Sequence, residues 1–178
     1  SCKLRASTAM TRDAGKPLML AGLAVLALGL AAIGGAWLFE IVIDLVPCPL
    51  CLEQRWAYYA GLPLALVTLL LLFAGSGRVM ARSLLALVAI FFLLNAGLGA
   101  YHSGVEWHWW PGPTGCATGA GSPLDASGLA ARMARTRVVA CDEAAWRFLG
   151  LSLAGYNVLV SLGIAGLIGW ALSKSGNR

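Results

Sequence analysis

Residues 47–77 read PCPLCLEQRWAYYAGLPLALVTLLLLFAGSG, and the second part of this stretch decides the fold. From Trp56 to Gly77 there are 22 residues without Asp, Glu, Lys or Arg, and about 20 apolar residues are enough for a helix to cross a bilayer. Three more stretches meet the same test: Leu18–Phe39 with 22 residues, Ser83–Val105 with 23 and Phe148–Ser173 with 26. The 178-residue chain is 59% hydrophobic and 12% charged, whereas soluble domains carry about 25% charge. The expected fold class is all-α, a membrane four-helix bundle forming a single domain over residues 1–178. Its spans are expected at about 18–39, 50–74, 83–103 and 148–172, with outward loops at about 40–49 and 104–147.

The first span is preceded by basic residues, as in a signal peptide, but its apolar run is longer than the roughly 7–15 residues of such a segment. The following EIVIDLVPC offers no small-x-small cleavage site, so a retained helix is expected. The leading SCKLRASTAMTRDAGK is polar and reads as a short irregular tail.

The net charge of +5 is informative by position. Lys3, Arg5, Arg12 and Lys16 precede the first span, Arg78 and Arg82 lie between the second and third, and Lys174 and Arg178 follow the last. These eight basic residues all fall on one side of the expected bundle. The positive-inside rule then puts both termini and the turn at 75–82 in the cytoplasm. No concentrated basic face of the kind nucleic acid requires is present.

That orientation sends four of the five cysteines outward. Cys48 and Cys51 stand at the outer end of the second span, and Cys116 and Cys141 lie in the 42-residue loop from Glu106 to Arg147. Cys2 is alone on the inner side and receives no role. Paired cysteines in an oxidising compartment normally form disulfides. Bridges that merely staple loops are one reading, and it suits the Gly/Pro-rich loop around Cys116. Zinc is a weaker one, because structural zinc sites use two closely spaced ligand pairs and Cys116 and Cys141 are 25 positions apart. For Cys48 and Cys51 a purely structural bridge is also weak, since so short a loop removes little unfolded-state entropy. Cys-x-x-Cys is instead the spacing of exchange-active dithiols.

Proline is favoured at the first position of a helix. If Pro49 opens the second helix, Cys51 lies in its first turn, where the positive helix end favours a thiolate. Arg55 is four residues on, on the same face as Cys51. Snorkelling to headgroups is one account of a cation there; a positive group beside a thiolate and an electron acceptor is the other.

Three segments carry a resemblance to a known family: PCPLCLEQR (47–55), YHSGVEWHWWPGPTGC (101–116) and CDEAAWRFLGL (141–151). Together they resemble the bacterial disulfide bond formation protein B (DsbB) family of quinone-dependent membrane thiol oxidases, over all four spans and both outer loops. The residues 117–140 are less like its best-known members. The relay of DsbA, DsbB and quinone is established for that family and enters with the resemblance, not with the spacing. The resemblance implies that a Cys116–Cys141 disulfide oxidises a periplasmic DsbA-like thioredoxin-fold protein through a mixed disulfide at Cys116. Electrons would pass to a Cys48–Cys51 disulfide and then, from a Cys51 thiolate, to ubiquinone or menaquinone of the lipid pool, with Arg55 beside the ring. His102, expected just beyond the third span, would neighbour the quinone. No metal is implied.

Glu106, Trp107, Trp109 and Trp110 read as an interfacial belt. Residues 126–140 (ASGLAARMARTRVVA) read as a short helix on the membrane surface. Gly29, Gly34, Gly35 and the glycines of the last span read as sites of close helix packing. The runner-up is a vitamin-K-epoxide-reductase-like thiol-quinone oxidoreductase, but that family usually carries its Cys-x-x-Cys late in the chain. The other rivals are a non-catalytic, disulfide-stapled membrane scaffold and a thiol chaperone for haem or copper delivery. The latter would be expected to show metal- or haem-ligand motifs, and none is found.

Overall fold

The computed structural model describes residues 2–75, 77–113, 137–138 and 141–176, with side chains described from residue 15 onward apart from those of 137–138. Helix α1 runs over Cys2–Val42, α2 over Pro49–Phe73, α3 over Arg78–Glu106 and α4 over Leu153–Gly176. All four contain stretches long and apolar enough to cross a membrane. The chain is a multi-pass membrane protein with an all-α four-helix bundle.

The leading polar residues, expected as an irregular tail, continue α1 instead. They are rich in Ala, Lys, Arg and Met, which are good helix formers, and extending a helix already nucleated by the span costs little.

Neighbours in the bundle are α1 with α2, α2 with α3, α3 with α4, and α4 with α1, while α1 and α3 barely touch across the diagonal. The core they enclose holds Leu18, Val25, Tyr58, Leu85, Val88, Phe92, Ile164 and Ile168. Gly29 packs as expected: a Cβ there would meet Leu62 of α2 at 2.8 Å. Gly34, Gly35, Gly163, Gly166 and Gly169 do not, since nothing lies within 4 Å of a Cβ at any of them. The closest contacts between helices fall at Gly22 and Gly29 on α1, Gly61 on α2 and Gly99 on α3. At the opposite end from the cysteines, Arg78 donates to the Ser175 carbonyl at 3.0 Å and Arg82 to the Leu172 carbonyl at 3.2 Å. These arginines thus cap the C-terminus of α4, where cations are favoured.

The end that carries Cys48 and Cys51 also carries short extended pieces. Strand β1 (Leu45–Val46) pairs in parallel with β2 (Arg137–Val138), tying the α1–α2 connection to the long loop. Residues 137–138 are therefore extended where a surface helix over 126–140 was expected; the rest of that stretch lies outside the described residues, as does Cys116. Strands β3 (Arg147–Phe148) and β4 (Leu151–Ser152) form a hairpin. Its two-residue turn has positive φ at Leu149 and Gly150 (50° and 83°), the pattern of a tight hairpin that matches strand twist. This hairpin takes the place of the first turn expected for the last span. Helix α4 begins after it, with the Ser152 hydroxyl accepting the Gly155 N–H at 3.2 Å, as an N-cap does.

Candidate functional site

Pro49 is the first residue of α2, as its sequence position predicts, and Cys48 is the N-cap. The Cys48 side chain turns back over the helix end. Its Sγ accepts the Cys51 N–H at 3.2 Å and lies 2.8 Å from Cys51 Sγ. Sequence reasoning placed the thiolate-favouring helix end at Cys51, but the free N–H belongs to Cys51 and points at Cys48. The bond from the Cys51 thiol, helped by His102, outweighs burial and lowers the Cys48 thiol to about 5. Both thiols are free. Together with His102 Nε2 their sulfurs lie within 4.8 Å of one another. The sulfur–sulfur separation is shorter than the ~3.7 Å that two thiolates keep around a tetrahedral zinc with Zn–S near 2.3 Å, and it suits a pair that closes to a disulfide.

His102 is not beyond α3 but inside it, because the helix continues to Glu106, and it is only 3% exposed. Its Nε2 lies 3.6 Å from Cys48 Sγ and 3.9 Å from Glu106 Oε1. Its Nδ1 lies 2.8 Å from Gln54 Nε2. From Gln54 a line of polar side chains runs into the bundle. Asn157 Nδ2 donates to Gln54 Oε1 at 2.5 Å, Tyr58 donates to Asn157 Oδ1 at 2.5 Å, and Asn95 donates to Ser161 Oγ at 3.0 Å. None of Gln54, Asn95 or Asn157 was singled out from the sequence. The available signal was an amide inside an apolar span, which faces the bundle interior because lipid offers it no partner.

Arg55 neither snorkels nor stands unpaired: Nη1 donates to Glu40 Oε2 of α1 at 2.6 Å. The pair closes one side of a cavity of about 300 Å³ that also reaches Cys48, Cys51, His102 and Glu106. Ala32, Gly35, Ala36 and Val160 make part of its wall apolar and small, while Gln54, Tyr58, Tyr156 and Asn157 add polar groups. Glu106, expected in the interfacial belt, is buried at 5% exposure and lines this cavity. The tryptophans form a rim at this end of the bundle. Trp107 and Trp109 are exposed, Arg147 stacks over Trp107 at 5.7 Å, and Trp110 stacks on Tyr101.

On its other side Cys48 is 1% exposed and packs in one buried cluster with Leu50, Val105 and Cys141. Cys141 is fully buried and disulfide-bonded. The site thus joins a disulfide half from the long loop, a dithiol at a helix mouth and an apolar cavity edged by one guanidinium.

The sequence profile of a family described as "Disulfide bond formation protein DsbB" matches residues 19–171. The chain belongs to that family. It is also similar to "Uncharacterized protein RP370" of Rickettsia prowazekii (strain Madrid E), with 25% identity over 142 residues, 79% of each chain. No solved structure matches it.

Proposed function

We propose that this DsbB-family oxidoreductase re-oxidises a periplasmic DsbA-like dithiol protein and delivers the electrons to quinone, ubiquinone or menaquinone, in the bacterial inner membrane. The observation that carries the reading is the double contact of the Cys48–Cys51 pair. Cys48 shares one buried cluster with disulfide-bonded Cys141 on one side, and both cysteines line the Arg55 cavity on the other.

In this reading Cys116 and Cys141 form the disulfide that a thiolate of the partner attacks. Once reduced, that pair attacks the Cys48–Cys51 disulfide. Each exchange follows the same chemistry, a thiolate displacing one sulfur of a disulfide. The shared cluster favours attack by Cys141 on Cys48, which releases Cys51 as the leaving thiolate inside the cavity.

The residues present fit a quinone. Ala32, Gly35, Ala36 and Val160 leave an apolar slot suited to a flat ring, while Arg55 and His102 Nε2 border it as donors. A quinone bound there supplies a two-electron sink, needed because the partner is itself a strong oxidant, near about −120 mV. Arg55, held by Glu40, keeps positive charge at the cavity. His102 donates toward Cys48 Sγ. Residues of α1 and α4 supply much of the apolar wall.

The test is an anaerobic assay of the purified protein, following quinone absorbance as the reduced partner is added. Stoichiometric bleaching supports the reading. No bleaching, with the partner's thiols unchanged, overturns it.

A further inference from the structure

Two features of the cavity stand outside the thiol relay. The first is the fixed state of His102. Asn157 Oδ1 accepts from Tyr58 and from Asn95 Nδ2 (3.3 Å), so its NH2 edge is the one that meets Gln54 Oε1. Gln54 accordingly turns its own NH2 to the Leu50 carbonyl at 3.3 Å and to His102 Nδ1. Nδ1 must then accept, and the ring proton sits on Nε2. Flipping Gln54 would set NH2 against NH2 and carbonyl against carbonyl. Protonating Nδ1 would set N–H against N–H. His102 is a neutral donor, not a base, and its Nε2–H faces two acceptors, Cys48 Sγ and Glu106 Oε1.

The second feature is Glu106. Among the described residues its Oε2 is buried without a hydrogen-bond partner, and the side chain lines the cavity. A buried polar atom left open calls for an occupant. For a carboxylate beside a thiol pair, the smallest occupant is a proton. The other charged groups around the cavity are engaged elsewhere or face out. Arg55 holds Glu40, Arg147 donates to the Glu106 main-chain carbonyl at 3.4 Å, and Glu143 is exposed.

We propose that Glu106 is the proton-exchanging group of the Cys48–Cys51 dithiol, with His102 the neutral donor that follows the charge. With both thiols protonated, the Glu106 carboxylate accepts the Nε2–H. When the Cys48 proton moves to Glu106, the Nε2–H turns to the new thiolate. The pair is then one thiolate, one thiol and one neutral acid. Closing the disulfide releases two electrons, the Cys51 proton and the Glu106 proton, which is the sum that converts a quinone to its hydroquinone, and restores the carboxylate. Net charge in the buried site is −1 before and after.

This inference rests on the redox reading of the pair, and its test reads the proton directly. Reduced-minus-oxidised infrared difference spectra are recorded on the full chain in lipid, cycled chemically without quinone, with thiols counted in parallel. The expected result is a deuterium-sensitive C=O band of a protonated carboxyl, gained on reduction. It should be lost in Glu106→Gln, displaced in Glu106→Asp and unchanged in Glu53→Gln, an exposed residue. If the thiols cycle and no such band forms, or it survives in Glu106→Gln, the proton assignment falls alone. If Cys48 and Cys51 do not cycle, both readings fall.

Discussion

Cys48 and Cys141 are buried in one cluster, although 93 positions separate them (141 − 48). In the proposed relay this sets disulfide-bonded Cys141 near the helix-mouth pair and divides the labour between the two pairs. Replacing Cys141 or Cys116 by Ser should abolish oxidation of the protein partner, while quinone reduction by a small dithiol that reaches Cys48–Cys51 persists. Replacing Cys51 by Ser should abolish both. The check is a pair of steady-state assays, one with each donor; normal quinone reduction by Cys51→Ser would remove it as the donor.

The contacts at Cys48 have a pH signature. With its thiol near 5 rather than 9, the thiolate dominates from about pH 6 upward and is lost as pH falls through about 5. Alkylation of reduced Cys48 by a small uncharged reagent should therefore be nearly flat between pH 6 and 8. The bond from the Cys51 thiol is the largest cause, so Cys51→Ala should move the profile upward. At pH 6 the relative rate should drop by about tenfold or more, since each unit of displacement is a factor of ten in thiolate population. An unchanged profile in Cys51→Ala would show that the N–H and His102 alone hold the charge.

Gln54 offers a test of the polar line. Gln54→Leu leaves His102 Nδ1 and Asn157 Nδ2 without their present partners, and an unpaired buried polar group costs about 1–3 kcal/mol. The variant should unfold at lower temperature, and its His102 nitrogen resonances should show a mixture of tautomers where the parent shows the Nε2–H form alone. A parent spectrum dominated by imidazolium would contradict the fixed tautomer.

The spans and the helix-mouth motif were legible because they are local. An uncharged run long enough to cross a bilayer announces itself, and Pro49 marks the start of α2 whatever the rest of the chain does. Gln54 and His102 are different: 48 positions apart (102 − 54), they meet because α2 and α3 pack side by side, and no spacing in the sequence records that. Glu106 was assigned to the rim because it precedes a tryptophan cluster. Its burial follows from α3 running to residue 106, which turns its side chain inward above His102. The glycines of α4 misled for a related reason, since small residues permit close packing but do not say which face is packed.

Orientation has its own expectation. Basic residues cluster at the ends of the helices away from Cys48 and Cys51, and Arg78 and Arg82 are also bound to the end of α4. A cysteine introduced near residue 77 or after residue 174 should stay protected from an impermeant thiol reagent in intact cells, and one near residue 122 should be labelled. Labelling of the inner two alone would invert the protein and remove the periplasmic mechanism.

Arg55 answers why a charge enters a hydrophobic helix beside a thiol pair. Its guanidinium is paired with Glu40 across the α1–α2 contact at 2.6 Å, which offsets the cost of holding a cation near the membrane interior. One side is thus satisfied, and the guanidinium also lines the cavity. Arg55→Lys keeps the charge but cannot hold Glu40 and a carbonyl oxygen with one planar fork, so the apparent quinone KM should rise. Arg55→Ala should raise it by about 10- to 100-fold, the equivalent of one hydrogen bond to a charged group at about 1.5–3 kcal/mol. Arg55→His should fall on the same side. Disulfide exchange with the protein partner, measured in a single turnover without quinone, should stay close to normal because the proposed relay assigns it to Cys116 and Cys141. Glu40→Gln separates the two roles: it loosens the guanidinium without removing it, so KM should rise less than in Arg55→Ala. Unchanged quinone kinetics in Arg55→Ala would mean that the Arg55–Glu40 pair only fastens α1 to α2.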